Sequence, residues 1–521
     1  MSISHRPTPR VAHPAVVPLV VGLLGLTISL VGIGTPSLWY DETATVISAT
    51  RSWSQLGDMI LNVDAVHALY YAMMHLIFDA VGYSPLSLRI PSAIAVGVTA
   101  ALTVVLGRQL GSGRFALLAG ITVCLLPRTT WMGTEGRSYA ITAALAVALT
   151  IVLVRAIRNS ARRWWWLYAA LVVLSCVMFL YSALIVVAHT LTMLIWWVSK
   201  RAPISTIRRF VVATGLAALI TLPFALLVMS ESKQLHWLDP LGRHTPRFVF
   251  QQQWFLDSPI FAALSWALLV VGAAVMIRAA VTRTSTRTSP SAAAILLPAL
   301  VVPTAALLLT TLLYLPIYTP RYLTMCVPFV ALTMAAAIEA ATRFVQARTR
   351  ASARRSAVGV ALPAAVLVVL AVLALPQVIA QRQPLAKEVS SWSQVADFIA
   401  AERADLGPDA TTAIVYGNVQ YHPSASARVI AYSYPDAFEG TIDVNIGTPA
   451  AQTGELWETR IPLADGLDRA DSADAVYFIT SFARDGREQT TAILAQDGWT
   501  VTEQWEFSKV HVIRYDRVTP Q

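Results

Sequence analysis

Four short polar clusters interrupt a chain that is otherwise strongly apolar. The first is the acid pair of Leu38-Trp39-Tyr40-Asp41-Glu42, a few residues past an uncharged run from Pro14 to Gly34. The second holds Asp64 and His67, the third is Glu135-Gly136-Arg137-Ser138-Tyr139, and the fourth is Pro320-Arg321-Tyr322. A carboxylate can take the proton of an attacking hydroxyl. Cations can hold a departing phosphate, on which negative charge builds in the transition state. An acid pair, a histidine and two arginines gathered at one membrane surface would suit sugar transfer from a lipid phosphate. Each cluster also has a structural reading: Asp41 and Glu42 as solvated charges at a helix end, Glu135 and Arg137 as an ion pair, and Arg321 and Arg89 as snorkelling anchors.

The elements that must position these residues are membrane helices. Of 521 residues, 56% are hydrophobic and 13% charged, against about 25% charged in soluble domains. Spans of roughly 17–25 apolar residues are expected near 15–34, 89–107, 115–130, 138–157, 165–181, 183–199, 210–229, 260–277, 292–313, 322–341 and 357–376, about eleven in all, with 165–199 broken near Tyr181-Ser182. The net charge of +9 does not point to nucleic acid, because its placement follows the positive-inside rule. Alternate connections carry arginine and no acid: Arg108 and Arg114; Arg155, Arg158, Arg162 and Arg163; Lys200, Arg201, Arg208 and Arg209; Arg278, Arg283 and Arg287; Arg343, Arg348, Arg350, Arg354 and Arg355. With Arg6 and Arg10 these mark the cytoplasmic side. The four clusters then share the outer face, provided that 53–82 forms a pair of surface helices rather than a span.

The N-terminal run reads as a retained first helix behind a tail of residues 1–14. Residues 15–384 read as the membrane domain, with 35–88 as its first outer loop. From 385 to 521 charge, Gly and Pro return, and the pattern predicts a small extracytoplasmic α/β domain. Helices are expected at Glu388–Ala404 and Glu488–Gln496, and strands at Thr412–Tyr416, Val429–Tyr434, Ala475–Thr480, Thr500–Phe507 and Lys509–Tyr515. Cys124, Cys176 and Cys326 lie in apolar runs, which gives no disulfide framework. His189 reads as a satisfied buried histidine, Trp164-Trp165-Trp166 as an interfacial belt, and His236, Trp237 and Asp239 as a solvated loop.

The order of apolar helix, Trp39-Tyr40-Asp41-Glu42, His67-Ala68-Leu69-Tyr70-Tyr71, Glu135-Gly136-Arg137-Ser138-Tyr139 and Pro320-Arg321-Tyr322 resembles the GT-C glycosyltransferases. It is most similar to the protein mannosyltransferase-like group, glycosyltransferase family 39, which includes the lipid A aminoarabinose transferases. The second motif lacks that group's Pro pair, and the third has Gly for Ala. The resemblance implies a polyprenyl-phosphate sugar donor, with mannose the first choice and arabinose the next. It implies an envelope glycan, lipid or protein acceptor, and an inverting reaction. Asp41 would be the base, Glu42 beside it would share in the catalysis, and Arg321 would be the phosphate contact, helped by Arg137 and His67. Glu135, Tyr139 and Tyr322 complete the substrate-binding set. A divalent cation, where used, would sit at Asp41 and Glu135. Two rival classes remain: a lipid-linked sugar flippase, which calls for charges at the bilayer midplane and paired halves, and a non-catalytic assembly factor with a glycan-binding outer domain.

Overall fold

The computed structural model describes residues 15–159, 161–232, 238, 240–282, 289–419 and 422–517. A long apolar run cannot leave its amides unpaired in lipid, so each run closes its hydrogen bonds internally as a helix. The described chain opens with α1 (Val16–Leu30), then the short helices α2 (Tyr40–Ala49), α3 (Trp53–Ile60) and α4 (Ala68–Val81), then α5 (Pro85–Leu110). Gly113–Leu125, Tyr139–Arg158, Arg162–Met178, Ala183–Val198, Ile204–Ser230, Pro259–Thr282, Ala292–Leu313, Val327–Arg348 and Ser352–Ala380 complete the apolar bundle. The stretches anticipated as spans all fall on helices, and eight helices among the described residues are long and apolar enough to cross a membrane. The chain is a multi-pass membrane protein. The anticipated break is sharp: Phe179 turns extended before a 3-10 turn at Leu180–Ser182.

Packing follows membrane rules rather than a soluble core. Leu19, Val20 and Leu23 of α1 face outward, while Gly22 lies against α5. A methyl group built on Gly22 would come within 2.9 Å of the Gly97 carbonyl oxygen, and the reverse holds for Gly97. The two backbones approach closely because neither residue has a side chain. Val327–Arg348 runs through the centre, buried at every residue from Val327 to Glu339.

Residues beyond 385 form the α/β domain. Its five-stranded sheet has the order β4-β1-β5-β7-β6, made of β1 (Thr412–Tyr416), β4 (Ile442–Asp443), β5 (Ala475–Ser481), β6 (Trp499–Phe507) and β7 (Val510–Arg517). β1 runs parallel to β4 and β5, and β7 antiparallel to β5 and β6. β2 (Asn418–Val419) and β3 (His422–Ser426) pair separately. The strand expected at Val429–Tyr434 is instead a helix, Val429–Ser433. Its β-branched and aromatic composition reads as strand, but Val429, Ile430 and Ser433 share a buried side, and tertiary packing overrides so short a preference.

Helix α2 joins the two parts. Its Ala44 and Ile47 belong to a core with Trp392, Val395 and Ile430 of the α/β domain, while Val46 and Ala49 pack with Met59, Tyr70 and Met74 of the juxtamembrane helices. Thr43 Oγ1 lies 2.6 Å from Ser433 Oγ, and the Leu38 N–H donates to Tyr434 Oη at 2.8 Å. The first turn of α2, which carries the acid pair, is therefore fixed from both sides.

Candidate active site

Trp39 is the extended N-cap of α2, and Asp41 and Glu42 occupy its first turn, where the helix dipole favours acids. Successive helical residues point about 100° apart, so the two carboxylates leave in different directions. Glu42 enters the protein and is fully buried. Arg89 grips it through Nε at 2.8 Å and Nη2 at 2.7 Å, Lys387 Nζ donates at 2.9 Å, and the Gly136 N–H donates at 2.8 Å. Burial alone would raise its pKa, but Arg89 and Lys387 outweigh it and hold the carboxyl at about 2. Glu42 does not reach the large cavity described below. The expectation that it shares the chemistry gives way to a structural role. Arg89, read above as an anchor, is its buried partner.

Glu135 belongs to the same knot. Lys387 Nζ lies 2.9 Å from its Oε1, and Trp39 Nε1 donates to Oε2 at 3.1 Å. Burial raises its pKa, Lys387 offsets only part of this, and the charge of Glu42 adds to the rise, which reaches about 7. The anticipated Glu135–Arg137 ion pair does not form, since Arg137 turns toward Tyr71 and Asp41. Glu135 lines a small cavity of about 260 Å³, and Trp39, Arg321 and Glu388 line both this cavity and the large one.

Asp41 opens onto a cavity of about 1420 Å³ between the bundle and the α/β domain. Its Oδ2 lies 3.4 Å from Arg321 Nη1 and its Oδ1 lies 3.9 Å from Arg137 Nη2. Arg321 is also held against the Trp39 ring, 5.4 Å from its centroid. Arg137 Nη1 donates to Tyr71 Oη at 2.8 Å, and Tyr71 Oη donates to Asp64. His67, Tyr139 and Tyr322 line the same cavity. The His67 ring stacks on Phe179 at 5.7 Å, and Tyr322 stacks on Tyr181 at 4.9 Å. Burial, with Arg137 adding, lowers the His67 pKa to about 4, so the ring is neutral near pH 7. It can offer a hydrogen bond but not the positive charge expected of it.

The structure thus brings Asp41, His67, Arg137, Tyr139, Arg321 and Tyr322 to one cavity and sends Glu42 and Glu135 behind it. Sequence reasoning missed Lys387, and it quoted Tyr71 within the second motif without giving it a role. A cation just past the last span, at the acid-bearing end of the bundle, was the available signal for Lys387. Among the described residues, no three His, Cys, Asp or Glu side chains gather as metal ligands, and Asp41 and Glu135 each face cations of the chain itself. Buried His189 contacts Thr150 and Tyr168. The tail of residues 1–14, His236, Trp237, Asp239, Arg283 and Arg287 lie outside the described residues.

Solved structures share this fold of a helical bundle with an α/β domain over the cavity. Apo ArnT from Cupriavidus metallidurans matches at 13% identity and a TM-score of 0.59, covering 95% of this chain and 97% of that one. ArnT from the same organism bound to undecaprenyl phosphate matches at 14% identity and a TM-score of 0.55, with the same coverage. The oligosaccharyltransferase AglB from Archaeoglobus fulgidus, in complex with an inhibitory peptide and a dolichol-phosphate, matches at 11% identity and a TM-score of 0.52, over 95% of this chain and 73% of that one. No protein-family model matches the sequence, and no curated protein matches it. The likeness at these identities is one of fold.

Proposed function

We propose that the chain is a membrane glycosyltransferase that moves a sugar from a polyprenyl-phosphate carrier to a hydroxyl of a cell-envelope acceptor. One observation carries this reading: Asp41 stands on a large cavity with Arg321 at 3.4 Å and Arg137 at 3.9 Å from its two carboxylate oxygens. Both arginines face the Asp41 carboxylate. A lipid phosphate entering the cavity would draw both guanidinium groups, which suit phosphate oxygens, and release the carboxylate. Asp41 then accepts the proton of the acceptor hydroxyl. That oxygen bonds to the anomeric carbon as the bond to the phosphate oxygen breaks, inverting the centre. Arg321 and Arg137 stabilise the charge left on the lipid phosphate, and neutral His67 contributes a hydrogen bond.

The lipid phosphates bound in the ArnT and AglB structures support this donor class. The cavity and α/β domain lie on the outer face in this reading, since the arginine-rich turns mark the opposite side. Mannose is the first sugar to test and arabinose the next. The experiment incubates purified full-length protein with radiolabelled polyprenyl-phosphate mannose or arabinose and an envelope acceptor fraction. Transfer is expected for one donor, with Asp41→Asn at least a hundredfold slower. Full-rate transfer by a folded Asp41→Asn protein removes Asp41 as the base, and no transfer from either donor removes the sugar assignment.

A further inference from the structure

The cavity has a second polar wall, on the α/β domain, that the reaction above leaves unused. In the sheet order β4-β1-β5 the chain leaves β1 to one side and returns on the other. Open α/β sheets bind ligands at such a reversal, beyond the carboxyl ends of their parallel strands. Here those ends are Asn418, just past β1, and Thr480-Ser481, closing β5, and all three residues line the cavity. Thr480 is 1% exposed and Ser481 3%, yet neither hydroxyl has a hydrogen-bond partner among the described residues. Burying an unpaired hydroxyl costs free energy, and a ligand hydroxyl would recover it. Gly417 keeps the crevice tight, since a methyl group there would lie 2.6 Å from Thr480 Oγ1. The wall also carries Trp457, whose Nε1 donates to Tyr40 Oη at 2.9 Å and whose ring centroid lies 5.1 Å from that of Tyr40. Tyr40 is the chain neighbour of Asp41. Glu458 is engaged by Arg428, Ser426 and Tyr432, while two cations stand beside the wall: Lys509, whose Nζ donates to the Glu388 carbonyl, and Arg460, whose Nη1 donates to Asn418 Oδ1 at 3.2 Å.

We infer that the carboxyl ends of β1 and β5 form a subsite for the acceptor, and that the acceptor there is a glycan recognised through its hydroxyl groups. Hydroxyl groups that donate and accept match sugar hydroxyls. The inference rests on the glycosyltransferase reading for the word acceptor, but not for binding.

The test is saturation-transfer NMR on the full chain in nanodiscs, with α1,6-mannotetraose and α1,5-arabinotetraose as probes. Thr480→Val/Ser481→Ala removes both hydroxyls and leaves strand-compatible side chains. At least one probe should bind the wild type and Asp41→Asn alike, and bind the double variant about tenfold more weakly, as expected for two lost hydrogen bonds. The melting temperature should hold or rise, because no internal bond is lost. A purely structural pair would instead lower it and leave binding intact. Unchanged binding by the double variant, or no binding of either probe to the wild type, overturns the subsite. Full-rate transfer by Asp41→Asn with hydroxyl-dependent binding preserved would count against the catalytic assignment alone.

Discussion

Glu42→Gln separates the two acids of α2. In the wild type Glu42 receives two hydrogen bonds from Arg89, one from Lys387 and one from the Gly136 N–H, with no exposed surface. Gln keeps the shape and removes the charge. Lys387 retains Glu135 at 2.9 Å, and Glu135, no longer opposed by Glu42, can ionise to serve it. Arg89 makes no hydrogen bond to a second carboxylate among the described residues; its other donors reach the carbonyls of Ile33, Pro36 and Ser37. Leaving one member of a buried ion pair uncompensated costs about 3–5 kcal/mol, a large share of an ordinary protein's stability of roughly 5–15 kcal/mol. The assay is the thermal midpoint of purified protein at a fixed scan rate, paired with transfer rate per folded molecule. Glu42→Gln should melt well below wild type while the folded fraction turns over within a few-fold of it. Asp41→Asn should show the reverse pattern. Glu42→Gln/Arg89→Met should lose less than the sum of the two single losses, since no lone charge remains. A Glu42→Gln protein of wild-type stability that transfers a hundredfold more slowly would return Glu42 to the chemistry and sink this reasoning.

Arg321→Lys should lower kcat/KM for the lipid donor by about 10²–10³-fold, the usual loss for a group holding developing charge, because an ammonium cannot replace the planar fork; steady-state kinetics with varied donor checks it. With Arg321 and Arg137 supplying the positive charge, transfer should persist in EDTA, and loss of activity restored by Mg²⁺ or Mn²⁺ would call for a metal. Stability against pH carries two opposing slopes. Glu135, raised to about 7, is protonated in the fold and ionised in the unfolded chain between about pH 4.5 and 7, so its contribution falls as pH rises. His67, lowered to about 4, is neutral in the fold and charged in the unfolded chain between about pH 4 and 6.5, so its contribution falls as pH drops. Melting curves from pH 4.5 to 7 should therefore tilt upward with pH in Glu135→Gln and downward in His67→Gln, each relative to wild type; parallel profiles for all three would discard both shifts.

The sequence by itself determined the bundle. Lipid forbids unpaired amides, so long apolar runs have one solution, and acids and arginines sort to opposite ends of them. That logic placed the helices, the juxtamembrane pair and the break before Ala183, and it selected Asp41, Arg137 and Arg321 as residues able to meet. It also reached most of the small sheet, because alternating β-branched and aromatic runs need only local periodicity. What it could not resolve was the division of labour between Asp41 and Glu42. They differ by one step along a helix, and only the packing around α2 decides which one meets Arg89 and Lys387 and which one meets the cavity. Lys387 lies 345 positions from Glu42 in sequence, and the Thr480-Ser481 wall comes from another domain, so no local spacing could announce either. Local chemistry is written in neighbouring residues; the environment that sets a charge's role comes from residues far away in the chain, and only tertiary structure brings them together.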